Sequence, residues 1–134
     1  MDTEITDNFA DIIALAQAAF EQVDYVTDAT PKRAILRLNA KYGQFRVFVT
    51  ELFSDGLRKY RYYILYGDWV EAGFDNSPDS RAIRLKYGHI GKEHAGEHIP
   101  HLHQEDKTEL SLTEEMNFTA FVDWVKANIQ PIPH

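Results

Sequence analysis

Five of the chain's six histidines, His89, His94, His98, His101 and His103, fall within fifteen residues. Imidazole titrates near neutrality and its neutral ring ligates metals, so such a cluster suits proton transfer or metal binding. In an extended chain His101 and His103 project to the same side. His94 and His98 would share a face only in a helix, and Pro100 opposes a helix through the whole segment. One chemistry that fits is phosphodiester cleavage: one imidazole takes the proton of an attacking 2′-hydroxyl and a second protonates the leaving oxygen. In that scheme His101 is base or acid, His103 or His98 is its partner, and Asp75 orients an imidazole. Arg84 or Lys86, with Arg81 as a further candidate, would neutralise the phosphate. A second chemistry is a divalent transition-metal site, with His98, His101 and His103 as ligands and Asp75 or Glu97 adding oxygen. The first scheme needs no cofactor. A third reading is a solvated loop whose histidines have no catalytic task.

Two other stretches carry polar chemistry. Arg58-Lys59-Tyr60-Arg61-Tyr62-Tyr63 mixes cations with aromatics, a combination that contacts phosphates and stacks on bases. On a strand, Lys59, Arg61 and Tyr63 share one face and Tyr60 and Tyr62 the other, so Arg61 is a candidate for substrate contact. The bland alternative is an ordinary strand with half-buried tyrosines. Asp75-Asn76-Ser77-Pro78 reads as a turn at a strand end, because Asp and Asn bond readily to nearby backbone. Its functional alternative has Asn76 touching substrate.

The chain of 134 residues carries 14 basic and 21 acidic side chains, a formal charge of −7. That balance opposes a general nucleic-acid coat but leaves room for a local cationic groove. There are no cysteines, which excludes disulfides, thiolate zinc sites and thiol catalysis. No phosphate-binding glycine loop, dinucleotide glycine signature, Gly-x-Ser-x-Gly elbow or His-Glu-x-x-His occurs. The N-terminus lacks a signal-peptide pattern and no apolar run is long enough to span a membrane. A cytoplasmic protein with no membrane partner is expected.

The elements that must position these groups follow from periodicity. Thr6 or Asp7 can cap a first helix, whose stripe is Phe9, Ile12, Ile13, Ala16, Phe20 and Val23. It fades near Asp24. Strands are expected over 33–38, 44–53, 59–66 and 69–74, with turns at Gly43, Asp55-Gly56 and Gly67-Asp68. A fifth strand is expected over 81–87. Residues 88–107 read as an ordered loop holding the histidines. Ser111-Leu112-Thr113-Glu114 fits a capping box for a last helix with the stripe Phe118, Phe121, Val122, Val125 and Ile129. The expectation is a single α+β domain over 1–134: N-terminal helix, antiparallel meander of about five strands, C-terminal helix.

The order of these motifs resembles the TumE-like family, the toxin component of prokaryotic type II toxin–antitoxin pairs, or a close sister family. The similarity runs from Arg33 to Ile129. It consists of the Tyr/Arg-rich strand Arg58 to Tyr66, the strand ending in Phe74-Asp75-Asn76-Ser77-Pro78, the Pro-His motif Pro100-His101-Leu102-His103, and the terminal segment Leu110 to Glu115. Asp79-Ser80 stand where family members often carry His-His. The resemblance implies a toxin that acts as a ribonuclease, with an RNA substrate and a cognate antitoxin as partners. Asp75, Asn76, Pro100, His101 and His103 are the positions it carries over. A second copy of the chain is a further candidate partner. The rival from another class is a non-catalytic interaction module, in which the acidic surface and the tyrosine strand bind protein and the histidines tune binding with pH.

Overall fold

The computed structural model describes residues 3–88 and 93–131. His89, Lys92 and His134 lie outside the described residues. The element order is α1 (Thr3–Ala19), β1 (Glu21–Thr30), β2 (Arg33–Tyr42), β3 (Phe45–Ser54), β4 (Leu57–Tyr66), β5 (Trp69–Asp75), α2 (Ser80–Tyr87), β6 (His101–Gln104), β7 (Glu109–Leu112) and α3 (Phe118–Asn128). All seven strands form one antiparallel sheet in sequence order, β1 to β7. The protein is therefore a single α+β domain with a helix at each end and a meander between, with two more strands than expected. Among the described residues no helix is long and apolar enough to cross a membrane.

The meander follows from turn chemistry. Asp55 and Gly56 both take positive φ, 54° and 75°, the combination a two-residue hairpin of matching twist requires. The strands alternate as their sequences do. Leu36 and Leu38, Val47 and Val49, Tyr60 and Tyr62, Ile64, Ala72 and Phe74 point to one face, where Phe9, Ile12 and Ala16 of α1 and Phe118, Phe121 and Val125 of α3 cover them. Fully burying an aromatic such as Phe121 contributes up to about 3 kcal/mol. Tyr60 and Tyr62 are completely buried rather than half-buried.

Four expectations are corrected. The first helix stops at Ala19, and residues 21–30 form an edge strand. Val23 continues the helical stripe by spacing, but Val23, Tyr25, Val26 and Thr27 are β-branched or aromatic, and pairing with β2 wins. Residues 81–87 are a helix, not a fifth strand. Asp79 caps it, its carboxylate accepting from the Arg81 amide at 2.8 Å, and Gly88 closes it in the left-handed conformation. Residues 101–104, read as loop, are strand β6, whose only core-facing apolar residue is Leu102 and whose buried groups on the second face are histidines, which hides the apolar alternation. Ser111 does not cap the last helix. It pairs with Leu102 in the sheet, and Asn117 caps α3 instead, its side-chain oxygen accepting from the Ala120 amide at 2.8 Å.

The second face of the sheet is covered differently. Helix α2 lies over its β7 side, with Ala82 and Ile83 packed on Ile99 and, at the periphery, Leu110. Among the described residues, no helix covers the β2–β4 part of this face. The cross-strand row Arg37, Thr50, Arg61, Asp75, His101 runs along this face from β2 to β6. The neighbouring row is Asn39, Phe48, Tyr63, Gly73, His103.

Candidate functional site

Those two rows bring the candidate chemistry together. Asp75 pairs with His101 and Gly73 with His103 across β5 and β6. Asp75, His101 and His103 are all buried, at 3%, 1% and 4% exposure. Each offers one ligand atom, and the three atoms lie within 4.8 Å of one another. This trio could hold a divalent metal, two imidazoles and a carboxylate being a known first-row combination. His98 is not part of it: its Nδ1–H donates to the Asn76 carbonyl at 3.1 Å. Nor is Glu97, which accepts from Tyr87 at 2.7 Å and pairs with His94 at 3.1 Å.

The hydrogen bonds fix the protons on the imidazole pair. His101 Nδ1 lies 2.7 Å from the Ile99 carbonyl oxygen, which can only accept, so this nitrogen carries hydrogen. In the neutral ring Nε2 then bears the lone pair. His103 Nε2 lies 3.1 Å from it and donates. The remaining nitrogen, His103 Nδ1, faces the Arg81 guanidinium at 3.5 Å. The chain of donors is one-way: Arg81 to His103 to His101 to the Ile99 carbonyl. Burial, then the neighbouring His101 and Lys107, pushes His103 down to about 4, so His103 is neutral at pH 7.

Asp75 is built for the opposite state. Burial opposes its charge, but Ser77 hydrogen bonds, His101 and Arg61 outweigh burial and hold its carboxyl below the usual range. Its Oδ1 accepts from the Ser77 amide at 2.6 Å, which makes the expected turn. Its Oδ2 accepts from the Tyr63 hydroxyl at 3.2 Å and lies 3.4 Å from Arg61 Nε. Burial, then the Asp75 charge, pushes the Tyr63 hydroxyl up to about 12, so it stays a donor.

Three cations rim the group. Arg61 stacks on the Tyr63 ring at 5.3 Å and Lys107 lies 5.1 Å from the same ring. Arg81 touches His103 and donates to the Lys107 carbonyl at 2.8 Å. Arg61 is thus where the sequence places it. Arg84 and Lys86 are not on this rim: Arg84 is exposed on α2, and Lys86 lies 3.9 Å from Glu97. Helical rather than strand geometry is the reason, since in a helix Arg81 alone of the three reaches β6. Asn76 is also used elsewhere. Its side chain accepts from the Tyr60 amide at 3.0 Å and donates to the Arg58 carbonyl at 2.9 Å, capping the end of the β4–β5 ladder, and it is buried. The sequence alone does not mark Tyr63 and Lys107 as site residues. For Tyr63 the alternation with Arg61 was the available signal.

Gly73 sets the position of Tyr63. A Cβ there would lie 2.8–2.9 Å from three carbons of the Tyr63 ring, closer than real contacts allow. The ring therefore lies flat over β5 because residue 73 has no side chain, and this brings its hydroxyl to Asp75. Gly73→Ala should cost about 1–3 kcal/mol by overpacking. In a Tyr63→Ala background the same change should cost close to nothing. Denaturant unfolding of the four proteins measures the coupling, and an equal cost in both backgrounds would refute this account of Gly73.

Comparison with family models, curated proteins and solved structures gives no match.

Proposed function

We propose that the chain is a small ribonuclease of toxin type, cleaving RNA at the Asp75–His101–His103 group. The observation that carries this reading is the rim of Arg61, Arg81 and Lys107 around a buried imidazole pair, in a chain of net charge −7. Three cations around the imidazole pair favour an anion at that point, and a phosphodiester supplies one. The 2′-hydroxyl would attack phosphorus and give its proton to the imidazole pair. The 5′-oxygen would leave with a proton returned from the pair, giving a 2′,3′-cyclic phosphate and a free 5′-hydroxyl. Arg61, Arg81 and Lys107 would stabilise the phosphorane charge. Asp75 would stabilise the imidazolium between the two proton transfers.

The role of the histidines differs from a separate base and acid. Their Nε2 atoms are bonded to each other at 3.1 Å, which leaves no room for a phosphate between them. They act as one proton relay. The resemblance to TumE-like toxins supports the same reading and adds a cognate antitoxin as partner.

A second reading, metal-dependent hydrolysis, is favoured by the convergence of Asp75, His101 and His103 on one point. Cleavage of a labelled RNA mixture by tag-free protein, with and without EDTA, separates the two. Metal-independent relay chemistry predicts cleavage that survives EDTA and stops when the RNA is 2′-O-methylated. Loss with EDTA and recovery with one divalent ion would give the site to a metal. No cleavage under any condition would refute both readings and leave a protein-interaction module.

A further inference from the structure

The three central strands β2, β3 and β4 carry an unbalanced charge on their open face. The residues that point there are Arg33, Arg37 and Lys41 on β2, Arg46 on β3, and Lys59 and Arg61 on β4, interleaved with Phe48, Tyr63 and neutral side chains. Six cations meet no carboxylate on these strands, although the whole chain is acidic. Acids flank the band on both sides: Glu21 beside Lys41, Asp24 beside Asn39 and Asp28 beside Ile35 on edge strand β1, and Asp75 beside Arg61 on β5. The cationic band is closed on the β1 side and leads on the other, through Arg61, into Asp75 and His101. Among the described residues, Arg33, Arg37, Lys41 and Lys59 make no ion pair.

The band also contains a recess. Phe48, Thr50, Arg61, Tyr63 and Leu65 line a pocket of about 250 Å³. Its position is one strand from Asp75, roughly 5 Å, so one nucleotide spans the gap between pocket and site. The Arg46 guanidinium lies 5.2 Å from the Phe48 ring.

We propose that this face is a binding track for single-stranded nucleic acid, with one base seated in the Phe48–Tyr63 recess and the backbone following the cations from β2 to the site. Charge complementarity names a polyanion. The aromatic recess favours unpaired bases, because a duplex hides its base faces and offers this flat sheet no groove to enter. The inference rests on the ribonuclease reading for its direction toward Asp75, but the binding surface itself stands on the charge and aromatic pattern.

The test is fluorescence anisotropy of the full chain with a 2′-O-methylated single-stranded oligonucleotide, which binds without being cleaved. The single strand should bind more tightly than the corresponding duplex, with affinity that falls steeply with salt. Arg37→Glu should weaken binding about tenfold or more and reduce the salt dependence. Phe48→Ala should weaken the single strand roughly tenfold while leaving heparin, a polyanion with no bases, unchanged. Arg37 is exposed, so its variant keeps the test open even if Phe48→Ala fails to fold. Equal or tighter binding of duplex, or full affinity in Arg37→Glu, would overturn the track. Equal loss of heparin and oligonucleotide in Phe48→Ala would overturn the base recess. A wild-type protein that binds the methylated strand but never cleaves its unmethylated counterpart would sink the ribonuclease reading and leave the track standing. Cleavage without any effect of Arg37→Glu would do the reverse.

Discussion

His101→Ala should slow RNA cleavage by roughly 10²–10⁴-fold, the range for loss of one acid–base group. His103→Ala should cost about the same, and the double variant little more than either. Two independent groups would multiply their losses, whereas the ends of one relay share a single loss. The relay follows from the proton order. His101 Nδ1–H is committed to the Ile99 carbonyl at 2.7 Å, so its only exchangeable position is Nε2, already bonded to His103. His101 cannot take a proton without shifting the hydrogen bond they share, and His103 can take one only at Nδ1, the nitrogen that faces Arg81, so a proton that reaches His101 passes through His103. Single-turnover rates of the three variants measure this, with circular dichroism as the check on folding. His101 and His103 are buried, so truncation also leaves cavities. His103→Gln serves as the second probe, since it retains much of the side-chain volume and a hydrogen-bonding group but cannot carry the proton. A multiplicative double variant would show separate roles and end the relay. An unchanged rate in His101→Ala would end the assignment of the site.

Much of this site was legible in the sequence, and the part that was not has a physical explanation. Strict alternation in β4 separates Lys59, Arg61 and Tyr63 from Tyr60 and Tyr62, and the structure has that division. His101 and His103 project together because β6 is extended, as their spacing suggests for any strand. What periodicity could not register is a strand with imidazoles buried on one face and a single core leucine, Leu102, on the other. Histidine counts as polar, so His101-Leu102-His103-Gln104 carries no apolar alternation and reads as loop. The same blindness affects Gly73, whose missing side chain matters only once Tyr63 of a different strand lies above it. Arg81 and Arg84 illustrate the other kind of failure. Ser80–Tyr87 is short enough to satisfy strand and helix patterns together, and the decisive marks were its ends, Asp79 and Gly88. Once that segment is helical, Arg81 approaches His103 and Arg84 does not. Nothing local marked Glu51 as buried, because its environment is assembled from β4 and from the segment before α3.

Glu51 supplies the largest expected effect on stability. It is 1% exposed on the core face of β3, opposite Tyr60. Arg58 Nε donates to its Oε1 at 2.7 Å, and Tyr62 donates a short hydrogen bond to its Oε2. Arg58 also donates to the Tyr62 hydroxyl at 2.6 Å and the Met116 carbonyl at 2.8 Å, and lies 4.5 Å from the Tyr60 ring. The Met116 amide in turn donates to the Tyr60 hydroxyl at 3.1 Å. These bonds tie the segment leading into α3 to the centre of the sheet, on the face away from the Asp75–His101–His103 group. Burial raises the Glu51 carboxyl above its ordinary range despite the Arg58 charge beside it. A buried pair of this kind adds little net stability, but removing one partner leaves the other charge uncompensated. Arg58→Ala should therefore destabilise the fold by about 3–5 kcal/mol. Arg58→Met/Glu51→Leu should recover most of that loss, because no charge is then left buried. Urea unfolding of the wild type, the single and the double variant measures the difference. If the double variant is as unstable as Arg58→Ala, the loss comes from the tie to Met116 and the packing on Tyr60. If Arg58→Ala costs less than about 1 kcal/mol, the pair behaves as a surface ion pair, and α3 is held by its apolar stripe alone.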